Sequence, residues 1–155
     1  MKCKIAFIIF FLFIQQATAG EREVISKFFR HYNKNISDDV TEYVIQAGEH
    51  FKVDPLLIAS IIVRESGARP NVISKGGDYG LMQVRWKVHR NMVNSPKELL
   101  DPKINIFIGT EIFARYYVQK KTLRGALIRY NGGSKTMANR VLATFNYLRN
   151  ELSEK

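Results

Sequence analysis

A chain of 155 residues with 24 Lys and Arg against 14 Asp and Glu carries a formal charge of +10, a balance that favours an acidic partner. Its one cysteine, Cys3, excludes an internal disulfide and a cysteine metal site, so the fold must be held by its core. No stretch is apolar over the roughly 20 residues that a membrane-spanning helix needs.

Lys2 and Lys4 precede the apolar run 5–14, and Ala17-Thr18-Ala19 supplies the small residues that signal peptidase prefers. Residues 1–19 therefore read as a secretory signal peptide and 20–155 as the mature domain, with an uncleaved anchor as the alternative. Cys3 lies on the wrong side of the run to become a lipid-modified first residue. Cleavage after Ala19 leaves about 136 residues, enough for a sizeable core, and lowers the formal charge to +8. Nucleic acid, anionic lipid and the bacterial wall are all acidic partners, and export favours the wall. A basic surface that only aids solubility fits the charge as well.

Beyond residue 20 the apolar spacing is helical nearly throughout, without repeat, low-complexity tract or linker, which predicts one mainly α domain. A first helix runs from about Arg22 to Tyr32. A second follows Ser37, with Val40, Val44, Ala47 and Phe51 on one face. Asp54-Pro55 joins an N-cap to a proline at the first helical position and starts a third helix, which continues to about Ser66, where Gly67 fits the stop. Residues 68–80 contain Pro70, Gly76, Gly77 and Gly80 without a sustained period and read as a loop with a short hairpin. Ser95-Pro96-Lys97-Glu98 has the spacing of a capping box, and Asp101-Pro102 repeats the cap-and-proline start. The helix after it carries Ile104, Ile106, Phe107, Ile108, Ile112, Phe113, Tyr116 and Tyr117 on so many sides that it is expected to be the buried centre. Thr122 caps a further helix that ends at Asn131-Gly132-Gly133. Ser134 caps the last, with Val141, Leu142, Phe145 and Leu148 facing inward.

Glu65 stands out because Ile58, Ile61, Ile62 and Glu65 follow the 0, 3, 4, 7 spacing of one helical face, which puts a carboxyl on an apolar stripe. It also falls in the last turn, where the negative end of the helix dipole disfavours ionisation. Both effects raise its pKa and keep it protonated near neutral pH, as a general acid requires. Arg64 and Arg69 could oppose the shift, and a helix that frays early would leave Glu65 solvated; the spacing leaves both open. Glycoside cleavage usually needs a second carboxylate ~5–10 Å from the first. Asp54 lies eleven residues away on the same helix, about 16 Å of rise, and Asp78 is the only acid in the adjoining loop. One well-placed carboxyl fits a substrate-assisted route, in which the acetamido group of the sugar stabilises the developing positive charge.

Other chemistries have less support. His31, His50 and His89 show no paired ligand spacing and read as surface or packing residues. There is no serine elbow, and Asn131-Gly132-Gly133 lacks the lysine of a phosphate-cradling loop. The sequence implies no metal and no organic cofactor. The basic and aromatic residues of Phe28-Phe29-Arg30-His31-Tyr32 and Arg115-Tyr116-Tyr117 suit core aromatics beside solvated charges better than a nucleic-acid platform.

Three segments, Glu65-Ser66, Gly80-Leu81-Met82-Gln83 and Tyr130-Asn131-Gly132-Gly133, resemble in order and separation the catalytic domain of soluble lytic transglycosylases, the lysozyme-like family that cuts peptidoglycan. The resemblance runs from about Val40 to Leu148 and includes Asp101-Pro102, Asn105 and Gly109. It implies a mainly α, lysozyme-like single domain with a small irregular or hairpin region beside the site. It also implies that Glu65 protonates the glycosidic oxygen and then acts as base on the muramic acid 6-hydroxyl, leaving a 1,6-anhydromuramoyl end. Met82 and Gln83 match residues lining the sugar groove, Tyr130 and Asn131 match those completing the pocket, and Gly80, Ser66 and Ser74 match neighbours of the same segments. Plain readings stand beside these: Met82 fills a core gap, Gln83 satisfies the loop backbone, and Asn131-Gly132 is only a helix C-cap.

The chain departs from that pattern at Gly67-Ala68, where an aromatic often follows the acid, at Arg129, where a small residue is usual, and at Trp86-Lys87. Its Asp78-Tyr79 lead-in resembles the small transglycosylases of secretion and conjugation machines more than the large cell-wall recyclers. The resemblance therefore implies a monomeric exported protein, periplasmic or wall-associated, whose partners are peptidoglycan glycan strands and components of such a machine, with no nucleic acid and no membrane span after signal cleavage. A goose-type lysozyme, in which water attacks, a wall-binding assembly factor with a degenerate pocket, and an exported nucleic-acid binder remain alternatives.

Overall fold

The computed structural model describes residues 18–154, so all but the last two residues of the expected signal peptide lie outside it. The chain is mainly helical, as expected, with a two-stranded hairpin between its halves. Helix α1 spans Ala19–Tyr32. It begins about three residues before the expected start because Thr18 and Glu21 form a reciprocal capping box. The Glu21 N–H donates to Thr18 Oγ1 at 3.1 Å and the Thr18 N–H to the Glu21 carboxylate at 2.7 Å. Helix α2, Asp39–Phe51, buries Val40, Val44 and Ala47 and half-buries Phe51, the face read from spacing.

Helix α3, Pro55–Ser66, starts where Asp54 Oδ1 accepts from the Leu56 N–H at 2.8 Å and stops where Gly67 turns left-handed at φ +62°. Every side chain at 56–63 is buried against α1, α2 and the last helix, so α3 is the enclosed centre of the fold. That corrects the expectation placed on the helix after Asp101. Helix α5, Pro102–Lys120, is buried only from Asn105 to Phe113 and then outruns its neighbours, leaving Tyr117 48% and Val118 74% exposed.

The loop after α3 ends in strands β1, Asp78–Tyr79, and β2, Val84–Arg85, which pair antiparallel with Asp78 opposite Arg85 and Tyr79 opposite Val84. The hairpin turn is therefore the Gly80-Leu81-Met82-Gln83 segment itself. A four-residue helix α4, Trp86–His89, follows. The expected capping box at Ser95 does not form: Pro96–Leu100 is a 3-10 turn without a side-chain cap, and the Glu98 carboxylate accepts from the Asn94 N–H at 3.4 Å instead. Helices α6, Leu123–Tyr130, and α7, Lys135–Ser153, start on the expected Thr122 and Ser134 caps.

The turn is fastened to α5 by Asn105, whose side chain is 1% exposed. Its Oδ1 accepts from the Met82 N–H at 2.7 Å, and its Nδ2 donates to the carbonyls of Tyr79 at 2.7 Å and Leu99 at 2.8 Å. Two glycines make the approach possible. A Cβ on Gly80, at φ +73°, would lie 2.4 Å from Asn105 Nδ2, and one on Gly109 would lie 2.6 Å from Met82 Sδ. Asn105→Ala orphans three backbone groups, and two of them, the Met82 N–H and the Leu99 carbonyl, make buried bonds; at 1–3 kcal/mol for each buried unsatisfied group it is expected to lower folding stability by about 3 kcal/mol or more. Urea denaturation of the two proteins measures the loss.

Candidate active site

A cleft of about 360 Å³ opens between the end of α3, the hairpin, the middle of α5 and the junction of α6 with α7. Glu65 lines it from the last turn of α3, half-buried, and its carboxyl has no hydrogen-bond or ion-pair partner among the described residues. The pKa is raised from 4.5 to about 7, first by desolvation and second by the negative charge of Asp78. Neither neighbouring arginine counters this. Arg64 Nε donates to Thr144 Oγ1 at 2.7 Å, and Arg69 Nε donates to the Ser66 carbonyl at 2.9 Å.

Asp78 lines the same cleft, and its pKa moves the opposite way. Across the hairpin register Arg85 Nε donates to Oδ1 at 2.6 Å and Nη2 to Oδ2 at 3.1 Å, while the Ser74 hydroxyl donates to Oδ2 at 2.8 Å. These contacts, the Arg85 hydrogen bond foremost, hold Asp78 below the usual carboxylate range, so it is ionised where Glu65 is still protonated. Such a cleft can donate a proton at one point and present a fixed negative charge at another.

Four of the eight residues expected at the site line the cleft: Glu65, Gln83, Tyr130 and Asn131. Gln83 sits at φ +49°, and its Nε2 donates to the carbonyls of Gly80 at 2.9 Å and Val72 at 3.1 Å, so it braces the loop as well as facing the cleft. The Tyr130 hydroxyl donates to the Met82 carbonyl at 2.8 Å, and enclosure pushes its pKa well above 10. Asn131 caps α6 yet leaves both side-chain polar atoms buried and without a partner among the described residues.

The other four, Met82, Ser66, Ser74 and Gly80, are not among the residues that line the cleft. Met82 is fully buried, with its sulfur on Thr110 Oγ1 at 3.7 Å. Ser66 is buried and donates to the Ile62 carbonyl at 3.1 Å. Ser74 is committed to Asp78 and to the loop N–H groups of Gly76 and Asp78. Gly80 is a buried turn position under Asn105.

The cleft also takes residues that sequence reasoning passed over. His89, read as a surface or packing residue, lines it, with a pKa lowered by burial and by Arg115. Tyr116 and Arg129 line it together, the guanidinium 5.3 Å from the ring centroid. Arg129 was visible only as a departure from the family pattern, and Asp78 as the one acid in the loop and as part of the Asp78-Tyr79 lead-in. Among the described residues, no cluster of three His, Cys, Asp or Glu side chains could hold a metal ion, and no helix is long and apolar enough to cross a membrane.

The sequence profile described as the transglycosylase SLT domain matches residues 42–152. Similar curated proteins include the endo-type membrane-bound lytic murein transglycosylase A of Citrobacter koseri, 43% identical over 74 residues, which are 42% of this chain and 36% of that protein. The protein of the same name from Klebsiella pneumoniae is 42% identical over 73 residues, 41% of this chain and 36% of its own. A peptidoglycan-binding-like protein of Escherichia coli O157:H7 is 33% identical over 104 residues, 57% of this chain and 62% of its own. The chain thus spans less than two thirds of the length of each of these relatives.

Two measurements follow from the electrostatics. Glu65 holds its proton to about pH 7 when folded and to about 4.5 when unfolded, so folded stability falls as pH rises between those values, by at most roughly 3 kcal/mol. Glu65→Gln removes that loss: its melting temperature should match the wild type below pH 4 and exceed it at pH 8. Asp78→Asn removes one of the two causes of the shift and leaves Arg85 uncompensated, so an NMR titration of the Glu65 carboxyl should give a midpoint clearly below 7.

Proposed function

Because the chain belongs to the transglycosylase SLT domain family, we propose that it is a peptidoglycan lytic transglycosylase in which Glu65 is the catalytic acid. The observation that carries the assignment is a partnerless carboxyl in an open cleft with a pKa near 7, a group able both to give a proton and to take one back close to neutral pH. The names of the relatives, lytic murein transglycosylase and peptidoglycan-binding-like protein, support the same substrate.

The reaction proposed is cleavage of the β-1,4 linkage between N-acetylmuramic acid and N-acetylglucosamine. The Glu65 proton passes to the glycosidic oxygen as the bond from C1 to that oxygen breaks. The acetamido carbonyl of the muramic sugar stabilises the positive charge left at C1, and the ionised Asp78, fixed by Arg85 and Ser74, favours the same charge electrostatically. The Glu65 carboxylate then removes the proton of the 6-hydroxyl of that sugar, and the hydroxyl oxygen bonds to C1. A 1,6-anhydromuramoyl end forms, no water is consumed, and Glu65 regains its proton. Gln83, Tyr130 and Asn131 are assigned to the sugar subsites, with Asn131 offering an amide donor and acceptor that the fold leaves unpaired.

For the setting, we assign residues 1–19 to a signal peptide and 20–155 to an exported monomeric enzyme of the periplasm or wall, acting without a cofactor. The Asp78-Tyr79 lead-in supports local wall remodelling around a secretion, pilus or conjugation apparatus. Mass spectrometry of digested sacculi should find anhydromuramoyl ends; reducing ends alone would replace the lyase with a hydrolase. Glu65→Gln should lose about 10²-fold or more of the rate, and unchanged clearance would remove Glu65 from the mechanism. The rate of the wild type should fall above pH 7, as the acid loses its proton.

A further inference from the structure

The cleft holds a cation for which its own wall supplies no counter-charge. The ion pairs among the described residues include Arg22–Glu42, Arg30–Asp38, Arg85–Asp78 and Arg115–Glu111, and Arg129 belongs to none of these. Its guanidinium rests on the Tyr116 ring, a contact that fixes its position without neutralising it. The two acids of the cleft do not cancel it either: Asp78 already faces Arg85 and Ser74, and Glu65 keeps its proton to about pH 7. Two residues further on, at the same end of α6, the Asn131 amide lies enclosed with neither polar atom bonded.

We propose that Arg129, held on Tyr116 at the mouth of the cleft, binds a carboxylate of the glycan strand and makes the site select acidic strands over neutral ones. The inference rests on the glycan-cleaving reading above and adds the residue that sets its preference for acidic strands. A guanidinium offers two parallel N–H donors that match the two oxygens of a carboxylate, and a planar cation already stacked on an aromatic ring loses little freedom on binding. A neutral N-acetylglucosamine polymer has nothing to set against this charge. A peptidoglycan strand has two sources of carboxylate: the free lactyl group of a muramic acid without a peptide, and the acidic groups of an attached peptide, whose first residue converts the lactyl group to an amide. Arg129 is a binding residue here and takes no part in proton transfer.

Isothermal titration with the Glu65→Gln protein, expected to turn over about 10²-fold or more slowly, compares three ligands: chitotetraose, the peptide-free tetrasaccharide of alternating N-acetylglucosamine and N-acetylmuramic acid, and that tetrasaccharide carrying its peptides. At least one carboxylate-bearing ligand should bind about three- to tenfold tighter than chitotetraose, as suits an ion pair at an exposed cation. Which one prevails identifies the lactyl group or the peptide as the source. Adding Arg129→Gln should bring the ratio between acidic and neutral ligands to near one, and Arg129→Lys should restore part of it. A ratio near one before Arg129 is changed, or one that survives Arg129→Gln, overturns the proposal. Failure of all three ligands to bind overturns the glycan-cleft reading, and this inference with it.

Discussion

A hairpin whose strands are two residues each has almost no ladder to hold its turn in place, and here the turn is held from outside by one carboxamide. Asn105 pairs with the Met82 N–H, the Tyr79 carbonyl and the Leu99 carbonyl, groups that would otherwise be enclosed unsatisfied. Tyr130 adds a fourth bond, from α6 to the Met82 carbonyl. Through these contacts the position of Gln83 and of the paired Asp78 and Arg85 is fixed relative to α5 and α6, and the wall of the cleft opposite Glu65 becomes rigid. Gly80 and Gly109 matter for the same reason, since a methyl group at either position collides with the clamp.

Against that wall α3 presents Glu65 under different physics. Its preceding residues, 56–63, are buried on every side, so the helix cannot roll to give the carboxyl more water. Burial and the nearby Asp78 raise one pKa, while Arg85 and Ser74 lower the other. Two like groups in one cleft are thereby kept in different protonation states near neutral pH, the separation that acid catalysis beside a fixed negative charge requires. The arrangement has an energetic cost, because Glu65 ionises from about pH 4.5 in the unfolded chain but only near 7 in the fold, and the apolar contacts of α3 must outweigh the stability lost between those values.

Much of this was legible from residue patterns. The caps at Asp54, Asp101, Thr122 and Ser134 were readable because each acts within three residues of itself. The capping box at Thr18 and Glu21 was equally local but straddles the boundary read between leader and mature domain. Ser95 to Glu98 shows the reverse error, a correct spacing where the chain forms a 3-10 turn instead. Periodicity also ranked α5 above α3 as the central helix, because it counts apolar residues and does not show where neighbouring helices end. The mainly α, lysozyme-like class was readable all the same, since it depends on a period sustained over nearly the whole chain.

By itself the sequence determined the longer helices, the caps at Asp54, Asp101, Thr122 and Ser134 and the placing of one carboxyl on an apolar face, because each depends on neighbours a few residues away along a regular 3.6-residue repeat. Tertiary structure alone decided what that carboxyl faces. The Asp78 charge reaches Glu65 from another element, Arg85 and Ser74 set the state of Asp78, and Asn105 and Tyr130 hold the turn across 23 and 48 residues of chain. The same packing left Met82, Ser66, Ser74 and Gly80 out of the cleft lining and brought Arg129 and His89 to it. Through-space charge and enclosure depend on distance after folding, and no local repeat encodes that distance.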